Sequence, residues 1–289
     1  MLDYHVLRNW DFGDIVQRYS ARDTMLYALG VGMGSDPLDE QELGFVFERE
    51  LRALPTMATV LGSPGFWWPD PRTGVNWSKL VHGEQALRLF KPLAAAGTIV
   101  SRARVASVTD KGLEKGALVL VVRELRDHAS GELMAEERNV AVLRGDGGYS
   151  VRGAPSDAGP ESLPPVPERP PDLQIRLPTL PQQALLYRLS GDLNPLHVDP
   201  AAARAAGFPR PVLHGLCTYG MAAHALLRTI SGYDAARIRS LAARFTAPLY
   251  AGESVDFQIW RSSSNTVQLR ARVAARNSII LDRGLAEIV

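Results

Sequence analysis

Two stretches of this chain repeat one another at an offset of about 160 residues, the kind of self-similarity that fixes an architecture before any single residue is considered. Residues 22–30 (RDTMLYALG) resemble residues 182–190 (QQALLYRLS), and residues 90–97 (FKPLAAAG) resemble residues 245–252 (FTAPLYAG), with one residue of slack. Two matches in the same order point to a duplicated unit. Between the copies, residues 153–172 are crowded with Pro164, Pro165, Pro167, Pro170 and Pro171. Such a stretch favours extended, poorly packed backbone and reads as a linker. The expected organisation is therefore one unit over residues 1–152, the linker over 153–172, and a second unit over 173–289.

The halves also share a local pattern. Thr98 to Thr109, Ala117 to Arg126 and Glu136 to Leu143 alternate apolar and polar residues between Gly-bearing turns, as strands do. Ser254 to Arg261, Thr266 to Ala275 and Ser278 to Ile288 repeat this in the second half. His214 to Ile230 is long, apolar and rich in alanine, which predicts one buried helix. Each half is thus expected to wrap an antiparallel sheet around a central helix, an α+β arrangement.

Composition removes several function classes. A net charge of +1 gives no bulk attraction to nucleic acid or to an anionic membrane. No apolar run approaches the ~20 residues that span a bilayer. Cys217 is the single cysteine, so no intrachain disulfide can form, which suits a reducing cytosol. The N-terminus lacks the order of a signal peptide, and Leu-Ala-Glu-Ile-Val at the C-terminus is no peroxisomal address; a cytoplasmic location is expected.

Chemistry concentrates in residues 187–203. A carboxylate (Asp192), an amide (Asn194) and an imidazole (His197) fall within six residues, among the turn formers Gly191 and Pro195. Asp192 and Asn194 could simply stabilise a turn. The imidazole beside them exchanges protons near neutral pH, and a carboxylate next to it can orient the ring or share a water. Asp199 has a plainer job: followed by Pro200 and ending at Gly207, it reads as the N-cap of a short helix. Gly215 falls in the first turn of the long helix. Backbone N–H groups there have no intrahelical partner, and a glycine leaves them open to a carbonyl oxygen gaining negative charge.

The string Tyr187-x-Leu189-Ser190-Gly191-Asp192-x-Asn194-Pro195-Leu196-His197, followed after five intervening residues by Ala203, resembles the signature of hydratase 2, the (R)-specific enoyl-CoA hydratases among the MaoC-like dehydratases. The likeness extends through residues 207–216 (GFPRPVLHGL). It implies a double hotdog fold, two hotdog repeats of which only the second keeps the catalytic loop. The sequence agrees: with Tyr27 set against Tyr187, Gly32 falls opposite Asp192 and Pro37 opposite His197. The resemblance implies that Asp192 and His197 hold and activate a water and that Asn194 helps fix it. It assigns polarisation of a thioester carbonyl to the Gly215 N–H, and the acyl-tail pocket to the first half. Reversible hydration of a trans-2-enoyl-CoA to the (R)-3-hydroxyacyl-CoA follows, with no cofactor and no metal. Other readings are a dehydratase of a specialised acyl thioester (branched, steroid-derived, dicarboxylic or carrier-bound) and a non-catalytic acyl-CoA-binding module.

Arg204, Arg210 and Arg244 are candidates for the CoA phosphates, since guanidinium pairs well with phosphate. His214 is expected to bond backbone at the helix start, and His82-Gly83 looks like its echo in the first half. His224 is expected in the core or at an interface, and Trp67 and Trp68 to cover the core. Gly30-x-Gly32-x-Gly34 follows a helix rather than a strand and is a poor phosphate loop. A homodimer is expected, because hotdog units leave sheet edges and helix faces that pair.

Overall fold

The computed structural model describes residues 2–289. In chain order its main elements are α1 (Tyr4–Arg8), β1 (Asp14–Tyr19), α2 (Ala21–Gly30), α3 (Glu40–Val46), β2 (Leu80–Leu89), β3 (Gly97–Asp110), β4 (Ala117–Asp127) and β5 (Leu133–Leu143). The second half follows with β6 (Leu173–Pro178), α4 (Gln183–Tyr187), α5 (Pro200–Ala205), α6 (Gly215–Leu226), β7 (Ile238–Phe245), β8 (Ser254–Arg261), β9 (Thr266–Val273) and β10 (Ser278–Ile288). The six strands expected from alternation are all present, shifted by no more than a few residues at their ends.

All the strands join one ten-stranded sheet in the order β1-β3-β4-β5-β2-β7-β10-β9-β8-β6. Outward from the β2–β7 seam, the first half runs β2-β5-β4-β3-β1 and the second β7-β10-β9-β8-β6. Each strand of one half thus has its counterpart at the same distance from the seam. The duplication read from sequence is a structural two-fold, and the fold is the double hotdog. The repeated segments occupy equivalent places: residues 22–30 and 182–190 follow the edge strands β1 and β6, and residues 90–97 and 245–252 leave the seam strands β2 and β7. Across the seam, antiparallel pairs set Leu87 against Leu241 and Ala86 against Ala242.

Helix α6 is the core of the second half. Every residue from Cys217 to Leu226 is buried, as a helix apolar all round must be. It packs within the same core cluster as Phe257, Ile259 and Leu269, and each such side chain contributes about 1.5–3 kcal/mol by leaving water. Gly220 makes the close approach possible: a Cβ there would lie 2.5 Å from a Val31 methyl and 2.9 Å from the Tyr27 hydroxyl.

The first half departs from the expected helix. In its centre stands a buried five-residue 3-10 segment, Pro55–Thr59. Pro55 starts it, β-branched Thr56, Thr59 and Val60 crowd it, and the Gly-Ser-Pro-Gly run over residues 62–65 stops it, so a long α-helix has no room to propagate. Arg123 fixes the segment to the sheet. Its buried guanidinium donates to the carbonyls of Leu61 and Thr59 and pairs with Glu137.

The Pro-rich stretch is extended as expected but well anchored. Asp157 accepts from the Val108 N–H, Gln268 donates to the Pro165 carbonyl, and Trp260 donates to the Arg169 carbonyl. Trp67 and Trp68 stack at 4.1 Å, and Trp68 belongs to a smaller core cluster with Leu7, Val108 and Tyr149. They are cover, as the sequence suggested.

Candidate active site

Helix α4 ends in a 3-10 turn over Arg188–Ser190, and Gly191 turns the chain with φ 122°. The loop beyond is stapled by its own side chains. Asp192 Oδ1 accepts from the Asn194 N–H (3.1 Å), and Asn194 Oδ1 accepts from the Leu196 N–H (3.0 Å), so Asn194 caps the 3-10 turn Pro195–His197. Asp199 Oδ1 accepts from the Ala201 N–H at 2.7 Å and caps α5, as read from sequence. The turn roles of Asp192 and Asn194 are therefore real. They use Asp192 Oδ1 and Asn194 Oδ1 and leave Asp192 Oδ2 outside both bonds.

Asp192 Oδ2 lies 3.8 Å from His197 Nε2. Nδ1 of His197 meets the Val212 carbonyl at 2.8 Å, and a carbonyl only accepts, so the proton sits on Nδ1 and Nε2 presents a lone pair. Burial holds this imidazole below its usual pKa, against the opposing pull of the Val212 bond and the Asp192 charge. At neutral pH two acceptors thus face each other across a gap too long for a direct hydrogen bond. One water oxygen bonded to both fits that spacing, donating a hydrogen to each and keeping its lone pairs for attack.

His214 makes the floor. It is buried, its ring stacks on His197 at 3.7 Å with 25° between planes, and its Nε2–H donates to the Asp192 backbone carbonyl at 3.1 Å. Burial, and next the neighbouring His197, push its pKa down to about 4, so it stays neutral. His214 is structural, as expected, and the backbone it bonds is the loop itself. Asp192, His197 and His214 are the group among the described residues with metal-like spacing, their ligand atoms within 4.8 Å of one another. Face-to-face rings hold their lone pairs in nearly parallel planes, which do not converge on the corners of one tetrahedral ion.

Gly215, next to His214, opens α6, whose 12 residues aim the positive end of the helix at the loop. A Cβ on Gly215 would stand 3.3 Å from the Phe245 ring, so that ring covers the helix start. Arg204 and Arg210 are exposed on and after α5. Arg244 is placed differently: its guanidinium is bound to Glu84 across the seam, with Nε to Oε1 at 2.7 Å. That ion pair places the guanidinium of Arg244, the third phosphate candidate, at the seam.

Sequence reasoning missed two side chains here. Phe245 is one. His82 is the other: it lies on β2, not at a helix start, so it is no echo of His214. The available signal was the match of residues 90–97 to 245–252, which makes the preceding segments equivalent seam strands. Elsewhere, His224 is fully buried and bonds Glu42 at 2.8 Å. Cys217 is buried, its thiol pushed well up by burial, and inert. The Gly30 carbonyl accepts from Gln183 in the core, so the glycine run is a packing feature.

A duplicated hotdog shell with an acid–imidazole loop in only one repeat defines a class of protein, the double hotdog hydro-lyases. Comparison with known proteins agrees. Residues 162–282 match the MaoC like domain, and residues 17–145 match the MFE-2 hydratase 2 N-terminal domain. The chain is 42% identical to the 3-hydroxyacyl-thioester dehydratase Y of Mycobacterium tuberculosis, over 94% of this chain and 93% of that one. It is 36% identical to the peroxisomal enoyl-CoA hydratase 2 of Arabidopsis thaliana, over 91% and 88%. A crystal structure of a MaoC-like dehydratase from Phytophthora capsici superimposes with a TM-score of 0.84 at 32% identity, covering 99% of this chain and 98% of that one. This chain belongs to the MaoC-like dehydratase family and is an enzyme, a hydro-lyase of the hydratase 2 type; the non-catalytic binding module is set aside.

Proposed function

We propose that this protein adds water reversibly to a trans-2-enoyl-CoA, giving the (R)-3-hydroxyacyl-CoA. The observation that carries the reading is the 3.8 Å gap between Asp192 Oδ2 and His197 Nε2. Asp192 and His197 hold the water as paired acceptors, with the amide of Asn194 steadying it. One of the pair removes a proton as the oxygen attacks the β-carbon. The α-carbon receives a proton from the same pair. The Gly215 N–H, backed by the α6 dipole, takes the developing charge on the thioester oxygen.

The first half takes the acyl tail. Its five-residue central segment, against twelve residues of α6, supports that role. Arg204 and Arg210, exposed near the loop, and Arg244 at the seam are the phosphate candidates. The names of the two relatives, one a dehydratase and one a hydratase, support a reaction that runs both ways.

The test follows loss of enoyl absorbance across enoyl-CoA chain lengths, with chiral analysis of product. Asp192→Ala and His197→Ala should each abolish turnover with the fold intact. Wild-type rates in both variants would end the assignment.

A homodimer belongs to the same proposal. It is supported by the exposed Leu185, Leu189 and Leu193 beside the loop and by the edge strands β1 and β6. Light scattering showing only 31.5 kDa species would reject it. A cytoplasmic location is proposed with it, and cell fractionation tests that against the peroxisome named for one relative.

A further inference from the structure

We infer that His82, in the half without an acid–base pair, is a positioning residue for the reaction in the other half, acting through Phe245 on the α6 N-terminus. The inference rests on the hydratase reading above.

Three contacts build the link. On the first-half side, His82 Nε2 lies 2.8 Å from the Asn139 side-chain nitrogen, which donates to the bare nitrogen, and 3.2 Å from the Glu84 carbonyl, which accepts only in the other tautomer, so either tautomer has one partner on this side. Asn139 belongs to β5, hydrogen-bonded beside β2, so the imidazole is fixed to the first half's own sheet. Across the seam, the His82 ring meets the Phe245 ring edge to face, with centroids 4.7 Å apart. Beyond it, Phe245 carbons approach within 3.3–3.6 Å of the place a Cβ on Gly215 would occupy. The chain of touching groups thus runs Asn139, His82, Phe245, Gly215, from one half's sheet to the other half's helix start.

The register tightens it. Glu84 pairs with Arg244 across the seam, one residue from Phe245 and two from His82, and the ion pair between them locks that end of the two strands. The β2–β5 ladder has a bulge between His82 and Glu84, a device that re-aims a side chain. Burial keeps His82 neutral, with its pKa near 4, while the Asp192 charge pulls the other way, so the imidazole also lies within the field of the reacting carboxylate.

An aromatic wall held from both sides keeps the helix-start amide in one place and shields it from water. Small misplacement of such a group is costly, on the order of 100-fold for 1 Å. A wall next to the thioester carbonyl acts on the chemical step whatever the tail, so its loss lowers kcat and leaves KM alone. A residue of the tail pocket would change KM with chain length instead.

Purified wild type, His82→Ala, His82→Phe, Phe245→Leu and the His82→Ala/Phe245→Leu double variant are assayed on a short and a long 2-enoyl-CoA, with circular dichroism as the fold control. Expected for His82→Ala is a fall in kcat of about tenfold on both substrates with KM within about twofold. His82→Phe, which keeps the ring contact, recovers most of it, and the double variant is no slower than Phe245→Leu alone. Unchanged kcat in His82→Ala, or multiplicative losses in the double variant, overturns the inference while leaving the hydratase assignment standing. If His82→Ala fails to fold, His82→Phe decides: a folded but tenfold slower enzyme refutes the ring contact. A wild type inactive on every enoyl-CoA removes both readings.

Discussion

At the scale of the residue, the site is a matter of which lone pairs are already spent. Asp192 Oδ1 and Asn194 Oδ1 hold the loop, and His197 Nδ1–H is committed to Val212. What remains toward the gap is one carboxylate oxygen and one imidazole nitrogen, a pair of bases. Asp192→Asn replaces one acceptor with a donor at nearly constant shape. It should cost about 10²–10⁴ in kcat, read by enoyl absorbance. His197 is held below its ordinary 6.5, so the neutral base persists into mild acid. The acid limb of kcat/KM should accordingly fall below pH 6.5, and a limb centred above it would contradict the burial argument. These three polar residues were legible in the sequence because six residues of a loop carried them. Phe245 and His82 were not, because strand residues far apart in the chain meet only through the sheet register.

At the scale of the element, α6 and the Pro55–Thr59 segment do the same job in different lengths. The long helix tolerates close neighbours because Gly220 has no side chain. Gly220→Ala should drive a methyl into Val31 and the Tyr27 hydroxyl and cost about 1–3 kcal/mol in a denaturant melt. The short segment depends on Arg123, whose side chain is 5% exposed and paired with Glu137. Arg123→Ala leaves that carboxylate buried and unpaired, so a loss of about 3–5 kcal/mol is expected from the same measurement. The sequence showed the long helix by length and alanine content. It did not show that the first half lacks one, because a similar sheet pattern in both halves invites a similar centre, and only packing reveals what fills it.

At the scale of the whole molecule, one sheet carries two halves, and only the second has the acid–imidazole loop. Two imidazoles flank the site, His214 buried and His82 half-buried. His82 and His214 are held near pH 4 in the fold, against 6.5 in the open chain. The unfolded state therefore takes up protons first as pH falls. Their contribution to stability is complete above pH 6.5 and is lost as pH drops from there through 4. Thermal midpoints should decline over that window, and His214→Asn should flatten the decline. A midpoint independent of pH between 7 and 4 would show that these rings are not buried neutral.

What the sequence determined alone is what travels in local pattern. The strand period, the long apolar helix, the capped loop with its acid and imidazole, and the duplication itself all reside in residues a few positions apart or in two segments that match. What the tertiary structure decided is everything that depends on which strand lies beside which. The anchoring of the Pro-rich strap is one case. The ion pair of Arg244 with Glu84 is another, and the contact of the His82 ring with Phe245 across the seam is a third. The physical reason is the same for each: a side chain's partner is set by sheet register and burial, and these join residues more than a hundred positions apart that no local pattern connects.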